Sequence, residues 1–202
     1  MTLSGHLVVM YRVSSRSFPN RTILKQGDRY AVLPKAGSES DLGLSPFIAY
    51  NCLRLNSRHA VVGNGTHTDP VFERLAEGMS LRDALVTVLH EMDFEHDTLR
   101  TPRIVAVSDR VSRTVGLGIV RDDGLEVKVS ELAAGQFVYV STYEHASASR
   151  GFGGHDLEVA NSSAASSYIF DQGLFAKLTH PIASVAAFET PDGYESAEFP
   201  SQ

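Results

Sequence analysis

Cysteine occurs once in the 202 residues and tryptophan not at all. A single cysteine can neither close an intrachain disulfide nor build a cysteine metal cage. Such sparing use suits a reducing compartment, so a cytoplasmic location is expected. Cys52 sits in an apolar run with no flanking base and reads as a small buried hydrophobe. Positive charge is scarce as well: 18 Lys and Arg stand against 24 Asp and Glu, a net charge of −6. Nucleic acid is therefore not an expected partner, because phosphate backbones are met by a positive excess. Long apolar runs are missing. The longest, such as Leu7 to Tyr11, are a handful of residues, whereas a membrane span needs about 20. No membrane association and no secretory leader are expected.

What is present is an ordinary globular mixture, 43% hydrophobic and 21% charged. The length suits one domain, which residues 1–189 would form, leaving residues 190–202 as a polar, frayed tail. Strands are predicted over His6–Val13, Arg29–Leu33, Phe47–Leu55 and His59–Val62, each rich in β-branched or aromatic residues. Asp69-Pro70 reads as an N-cap followed by the first helical position, for a helix that stops at Gly78. Ser80 with Asp83 opens a second helix from Leu81 to about Glu95. Further strands are expected at Arg103–Val107, Thr114–Val120, Leu125–Val129 and Phe137–Thr142, with Asp123-Gly124 as a hairpin turn. A helix ending at Gly173 and a last short helix from Pro181 through Phe188 complete the reading. Gly116-Leu117-Gly118 reads as a packing feature inside a strand. This order argues for a layered α+β domain.

Two segments carry chemistry. YRVSSRSFPNR, Tyr11 to Arg21, holds three arginines in an acidic protein, with serines between them. Guanidinium forks and hydroxyls suit a phosphate; a solvated edge strand with ordinary ion pairs would use the same residues. On the second helix Leu81, Leu85, Val88, Met92 and Glu95 fall within roughly 40° of one line at 100° per residue. A carboxyl turned to the core has a raised pKa and can exchange protons near neutrality. Alternatively, Glu95 lies past the last turn and reaches solvent. HEMDFEHD, His90 to Asp97, has metal-ligand residue types at the wrong spacing. Its histidines are six apart and diverge by about 120° on a helix. No metal is expected. The nucleophile-elbow, Walker and dinucleotide-fingerprint patterns are absent.

These segments resemble the archaeal-type IMP cyclohydrolase family. The shared strings are YRVSSRSFPNR, PFIAYNCLR from Pro46, NGTHTD from Asn64, LRDAL from Leu81, MDFEHD from Met92, TPRI from Thr101, YVSTYE from Tyr139 and THP from Thr179. The resemblance implies a single four-layered αββα domain of the N-terminal-nucleophile hydrolase type, with its pocket between two sheets. It implies ring closure of 5-formamidoimidazole-4-carboxamide ribotide to IMP and water, without metal or organic cofactor, in a homo-oligomer. The family's catalytic pair maps onto Arg21 and Glu95. Arg12, Ser14, Ser15, Arg16 and Arg103 become candidates for the phosphate. Tyr50, Asn51, Asn64, Thr66 and Thr101 become candidates for base and ribose. Two other readings use the same chain: an amidohydrolase with Thr2 as N-terminal nucleophile, and a purine-nucleotide-binding protein without catalysis.

Overall fold

The structure is a computed structural model that describes residues 1–200. Ser201 and Gln202, the end of the expected tail, lie outside the described residues. In chain order the elements are β1 (Val8–Ser14), β2 (Arg21–Gln26), β3 (Arg29–Pro34), α1 (Asp41–Leu44), β4 (Tyr50–Leu55), β5 (His59–Gly63), α2 (Thr68–Ala76) and α3 (Leu81–Met92). There follow β6 (Arg103–Asp109), β7 (Thr114–Arg121), β8 (Gly124–Glu131), β9 (Phe137–Val138), β10 (Gly153–Gly154), α4 (Ser162–Asp171), β11 (Pro181–Thr190) and β12 (Gly193–Phe199).

The large sheet is an antiparallel meander in strict chain order, β2 to β8. The small sheet has the order β1-β11-β12, also antiparallel. Inward residues of both sheets form one shared core: Val9, Tyr11 and Val13 from β1, Ile23, Val32 and Leu53 from the meander, and Val185 and Ala187 from β11. The alternating burial along β1 shows why this strand can serve two layers at once. α2 and α3 cover the outer face of the large sheet, burying Val71, Leu75, Leu85 and Leu89 against Val61, Val105 and Val107. α4 and the 3-10 turn after it cover the outer face of the small sheet. α3 sits close on β7 because two glycines face it. A Cβ on Gly116 would lie 2.2 Å from a Leu81 methyl, and one on Gly118 2.6 Å from a Leu89 methyl.

Several expectations are corrected. Residues 181–188 are not a helix but β11, the central strand of the small sheet. Its six consecutive buried residues erase the period of two that marks a half-buried strand. The stretch from Thr190 is not frayed: β12 pairs with β11 from Gly193 to Phe199, so the folded unit runs past residue 189. β2, absent from the predicted strands, begins at Arg21 itself. Asp69 does not cap α2. Its carboxylate holds Asn51 Nδ2 (2.8 Å) and Arg54 Nη1 (2.6 Å) on β4. α3 ends at Met92, three residues short of Glu95.

Candidate active site

A cavity of about 600 Å³ opens along the free edge of β1. Its floor is the inner face of β6 and β7, and its side is the 137–144 segment that covers the rest of that face. β1 pairs only with β11, so consecutive residues Val8 to Arg12 all line the space. The interior is mostly apolar, with Met10, Val105, Leu117, Phe137 and Phe175 among its walls, while one mouth is polar, formed by Ser14 to Ser17, Thr142, Glu144, Thr179 and His180.

The polar mouth follows from a bulge. Val13 pairs with Ala183, but Ser14 pairs with Pro181, so the register slips there. Proline is tolerated as the first residue of a strand because its missing N–H is not needed. Beyond the bulge Ser15 N donates to His180 O at 3.2 Å, and Arg16 Nε donates to His180 Nε2 at 3.1 Å. Ser15 Oγ accepts from Phe18 N. Arg12 also lines the cavity, with its Nη1 committed to the carbonyls of Phe170 (2.9 Å) and Phe175 (3.0 Å).

At the end of the cavity marked by Tyr11, Gly63 and Ile104 lies a buried polar cluster. α3 is stopped by Asp93, whose φ of 54° leaves the helical region. The chain then turns back: Glu95 N donates to Thr101 O (2.9 Å), and Asp97 binds both the amide and the hydroxyl of Thr101. This loop returns Glu95 to the interior, where it is 4% exposed. Arg103 Nη1 donates to Glu95 Oε1 at 3.3 Å and its Nε to Asp93 O at 2.9 Å. Burial pushes the Glu95 carboxyl up to about 7, against the pull of Arg103 and, more weakly, of Arg21. Burial also lowers the Arg103 guanidinium from its ordinary value. Arg21 is 7% exposed and donates its Nε to Phe18 O. Neither Nη of Arg21 has a partner among the described residues. Tyr50 and Tyr11 share a hydrogen bond of 2.8 Å between their hydroxyls. Burial keeps both phenols neutral, with Tyr50 raised to about 12.

Gly65 and His67, not singled out as site residues by the sequence reading, belong to this cluster. A Cβ on Gly65 would lie 2.7 Å from Arg103 Nη1, 2.9 Å from Glu95 Oε1 and 3.2 Å from His67 Nδ1. His67 is fully buried. Its Nε2 faces Ile104 O at 2.8 Å, so the proton sits on Nε2 and Nδ1 carries a lone pair with no partner among the described residues. Burial lowers its pKa to about 4. The sequence signal was the string Asn64 to Asp69, in which a glycine and a histidine stand two residues apart.

The remaining expected site residues divide. Arg21, Tyr50, Glu95 and Arg103 come together next to the Tyr11 end of the cavity, without being among the residues that line it. Arg12, Ser14, Ser15 and Arg16 line it. Thr101 shapes the Glu95 loop. Asn64 clamps the start of β6, its Nδ2 on Pro102 O and its Oδ1 on Ile104 N, both at 2.8 Å. Thr66 is exposed on the adjoining turn. Asn51 points to the opposite face of β4, toward Asp69 of α2, because neighbouring strand residues alternate in direction. The structure does not bring Asn51 to the cavity. Thr2 is buried and outside the lining, with its Oγ1 held by Ser4 Oγ and His6 N. Among the described residues no group of three or more His, Cys, Asp or Glu is placed to hold a metal ion, and no helix is long and apolar enough to cross a membrane.

A family model described as "IMP cyclohydrolase-like protein" matches residues 1–193. A protein named IMP cyclohydrolase from Methanosphaera stadtmanae is 40% identical over 178 residues, 88% of this chain and 85% of its own. One of the same name from Methanocella arvoryzae is 41% identical over 194 residues, 95% of this chain and 90% of its own. Another from Methanothrix thermoacetophila is 40% identical over 197 residues, 97% and 93% of the two chains.

Proposed function

This chain belongs to the IMP cyclohydrolase family, and from that premise we propose that the cluster of Arg21, Tyr50, Glu95 and Arg103 performs its ring closure. The enzyme converts 5-formamidoimidazole-4-carboxamide ribotide to IMP and water in purine biosynthesis. The carboxamide nitrogen attacks the formyl carbon of the same molecule. An amide nitrogen is a weak nucleophile, so Glu95, as carboxylate, takes its proton while the new C–N bond forms. Negative charge develops on the formyl oxygen, where the unengaged Nη edge of Arg21 meets it. Glu95 then returns the proton to that oxygen. Water leaves as the former formamido nitrogen gives up its own proton and the ring becomes aromatic.

Because both reacting groups belong to one molecule, holding the reactive rotamer supplies much of the acceleration. The apolar walls between β1 and β7 would hold the imidazole ring. The mouth at Ser14 to Ser17 would hold the phosphate, with Arg16 offering its fork. Tyr50 and Arg103 set the polarity around the reacting groups. On the same reading the fold is the four-layered αββα sandwich of the N-terminal-nucleophile hydrolases, adapted to a reaction that leaves Thr2 idle. The single catalytic domain works in the cytoplasm as a homo-oligomer, a state that light scattering of the purified protein measures.

The observation that carries this proposal is a buried carboxyl held near 7, beside a cavity, within the field of an arginine whose Nη groups are free. The test is formation of IMP by purified protein. Glu95→Gln keeps the shape and removes the proton exchange. Arg21→Lys keeps the charge and removes the fork. Each lowers kcat by about 10²–10³ without unfolding the chain. Turnover near that of the native protein in Glu95→Gln refutes the role of Glu95. A change confined to the melting temperature in Arg21→Lys makes that arginine structural.

A further inference from the structure

We propose that His180 is a positioning residue for the substrate phosphate, acting by presenting Arg16 to it. This rests on the placement of the phosphate at the mouth formed by Ser14 to Ser17. The two residues are 164 positions apart and meet because the bulge at Ser14 lets both strand ends converge there. An arginine Nε–H can only donate, so His180 Nε2 is the acceptor and the imidazole proton resides on Nδ1. Among the described residues no carboxylate competes with His180 for the Arg16 guanidinium.

Its consequence is geometric. With Nε engaged by His180, the edge of Arg16 that carries its two Nη groups stays free; neither has a partner among the described residues. That edge is the one that matches two phosphate oxygens. The backbone that carries the imidazole is itself anchored. His180 O accepts Ser15 N, and the backbone holds a left-handed φ of 56° directly before Pro181. A long exposed arginine otherwise loses much rotamer freedom on binding, and pre-orienting it reduces that loss. Both side chains line the cavity while remaining exposed. Neither substitution below reaches the core.

The experiment is a double-mutant cycle on the active enzyme. His180→Ala raises KM for the ribotide by about tenfold, the size of one charge-assisted hydrogen bond. It raises the inhibition constant of inorganic phosphate in parallel and changes kcat by less than about twofold. Arg16→Ala raises KM at least as far, and adding His180→Ala to it raises KM no further, because the histidine then has nothing to orient. His180→Gln retains an acceptor and recovers most of the affinity. A KM effect of His180→Ala that persists in the Arg16→Ala background overturns the inference. So does an unchanged KM in His180→Ala when Arg16→Ala is impaired, which leaves the phosphate placement standing. An unchanged KM in Arg16→Ala overturns the phosphate placement itself, and this role with it.

Discussion

At the scale of single residues, the chemistry turns on how one carboxyl is balanced. Water exclusion drives Glu95 toward its neutral form and the Arg103 guanidinium pulls it back; the outcome is a group that titrates at about 7. As the proposed base toward the carboxamide it must start ionised. The ionised fraction grows as pH rises through about 7, so kcat/KM falls as pH drops below that value. The substrate phosphate also titrates near about 6, and Arg103→Gln separates the two. Removing the guanidinium takes away a force that favours the carboxylate, so the Glu95 pKa rises and the acid limb moves to higher pH. A limb that stays in place in Arg103→Gln assigns it to another group. Cys52, by contrast, has its thiol pushed far up by burial and serves as packing.

At the scale of elements, the site is made by two ends that refuse to continue. α3 stops at Asp93, and the loop tied by Asp97 and Thr101 folds Glu95 back under the sheet. β5 stops at Gly63, and the turn after it passes so close to the ion pair that a Cβ at position 65 would displace its side chains. Gly65→Ala places a methyl inside contact distance of Glu95 Oε1 and Arg103 Nη1. The pair then moves apart and kcat falls by at least about tenfold, since an ångström of misplacement can cost about 10²-fold. The stability cost is about 1–3 kcal/mol, as for other overpacked sites. Steady-state kinetics with urea unfolding checks both; kcat unchanged in a folded Gly65→Ala variant shows that the pair's position is not critical. The sequence reading left Glu95 either on the inward stripe of a helix or past its last turn and in solvent. It lies past the last turn and still points inward, because the loop tied to Thr101 and Arg103 turns it there. β11 shows the opposite case: Ala183, Ala186 and Ala187 have weak strand character, and only pairing on both sides makes them a strand.

At the scale of the whole molecule, one core joins the two sheets, and the cavity borders it along Val9, Tyr11 and Val62. Leu53 is fully buried in that shared core and does not line the cavity. Leu53→Ala lowers stability by about 2–5 kcal/mol, read from urea or thermal unfolding. The KM for the ribotide stays within about twofold, because the lost contacts hold the layers together and touch no ligand. A large KM change from this substitution refutes the reading that Leu53 acts through stability alone.

By itself the sequence determined the family and most of the meander, and through the family resemblance it proposed Arg21 and Glu95 as the reacting pair. Those properties are carried by local strings, by turn residues and by half-buried alternation, all of which survive in one dimension. Tertiary structure alone decided that residues 181–199 complete a sheet, that Asn51 serves a helix interface, and that Gly65 and His67 stand beside Glu95 and Arg103, and His180 beside Arg16. Burial on both faces erases periodicity, and contacts between residues far apart in the chain leave no local pattern. Such features exist only once the two sheets have closed on one another.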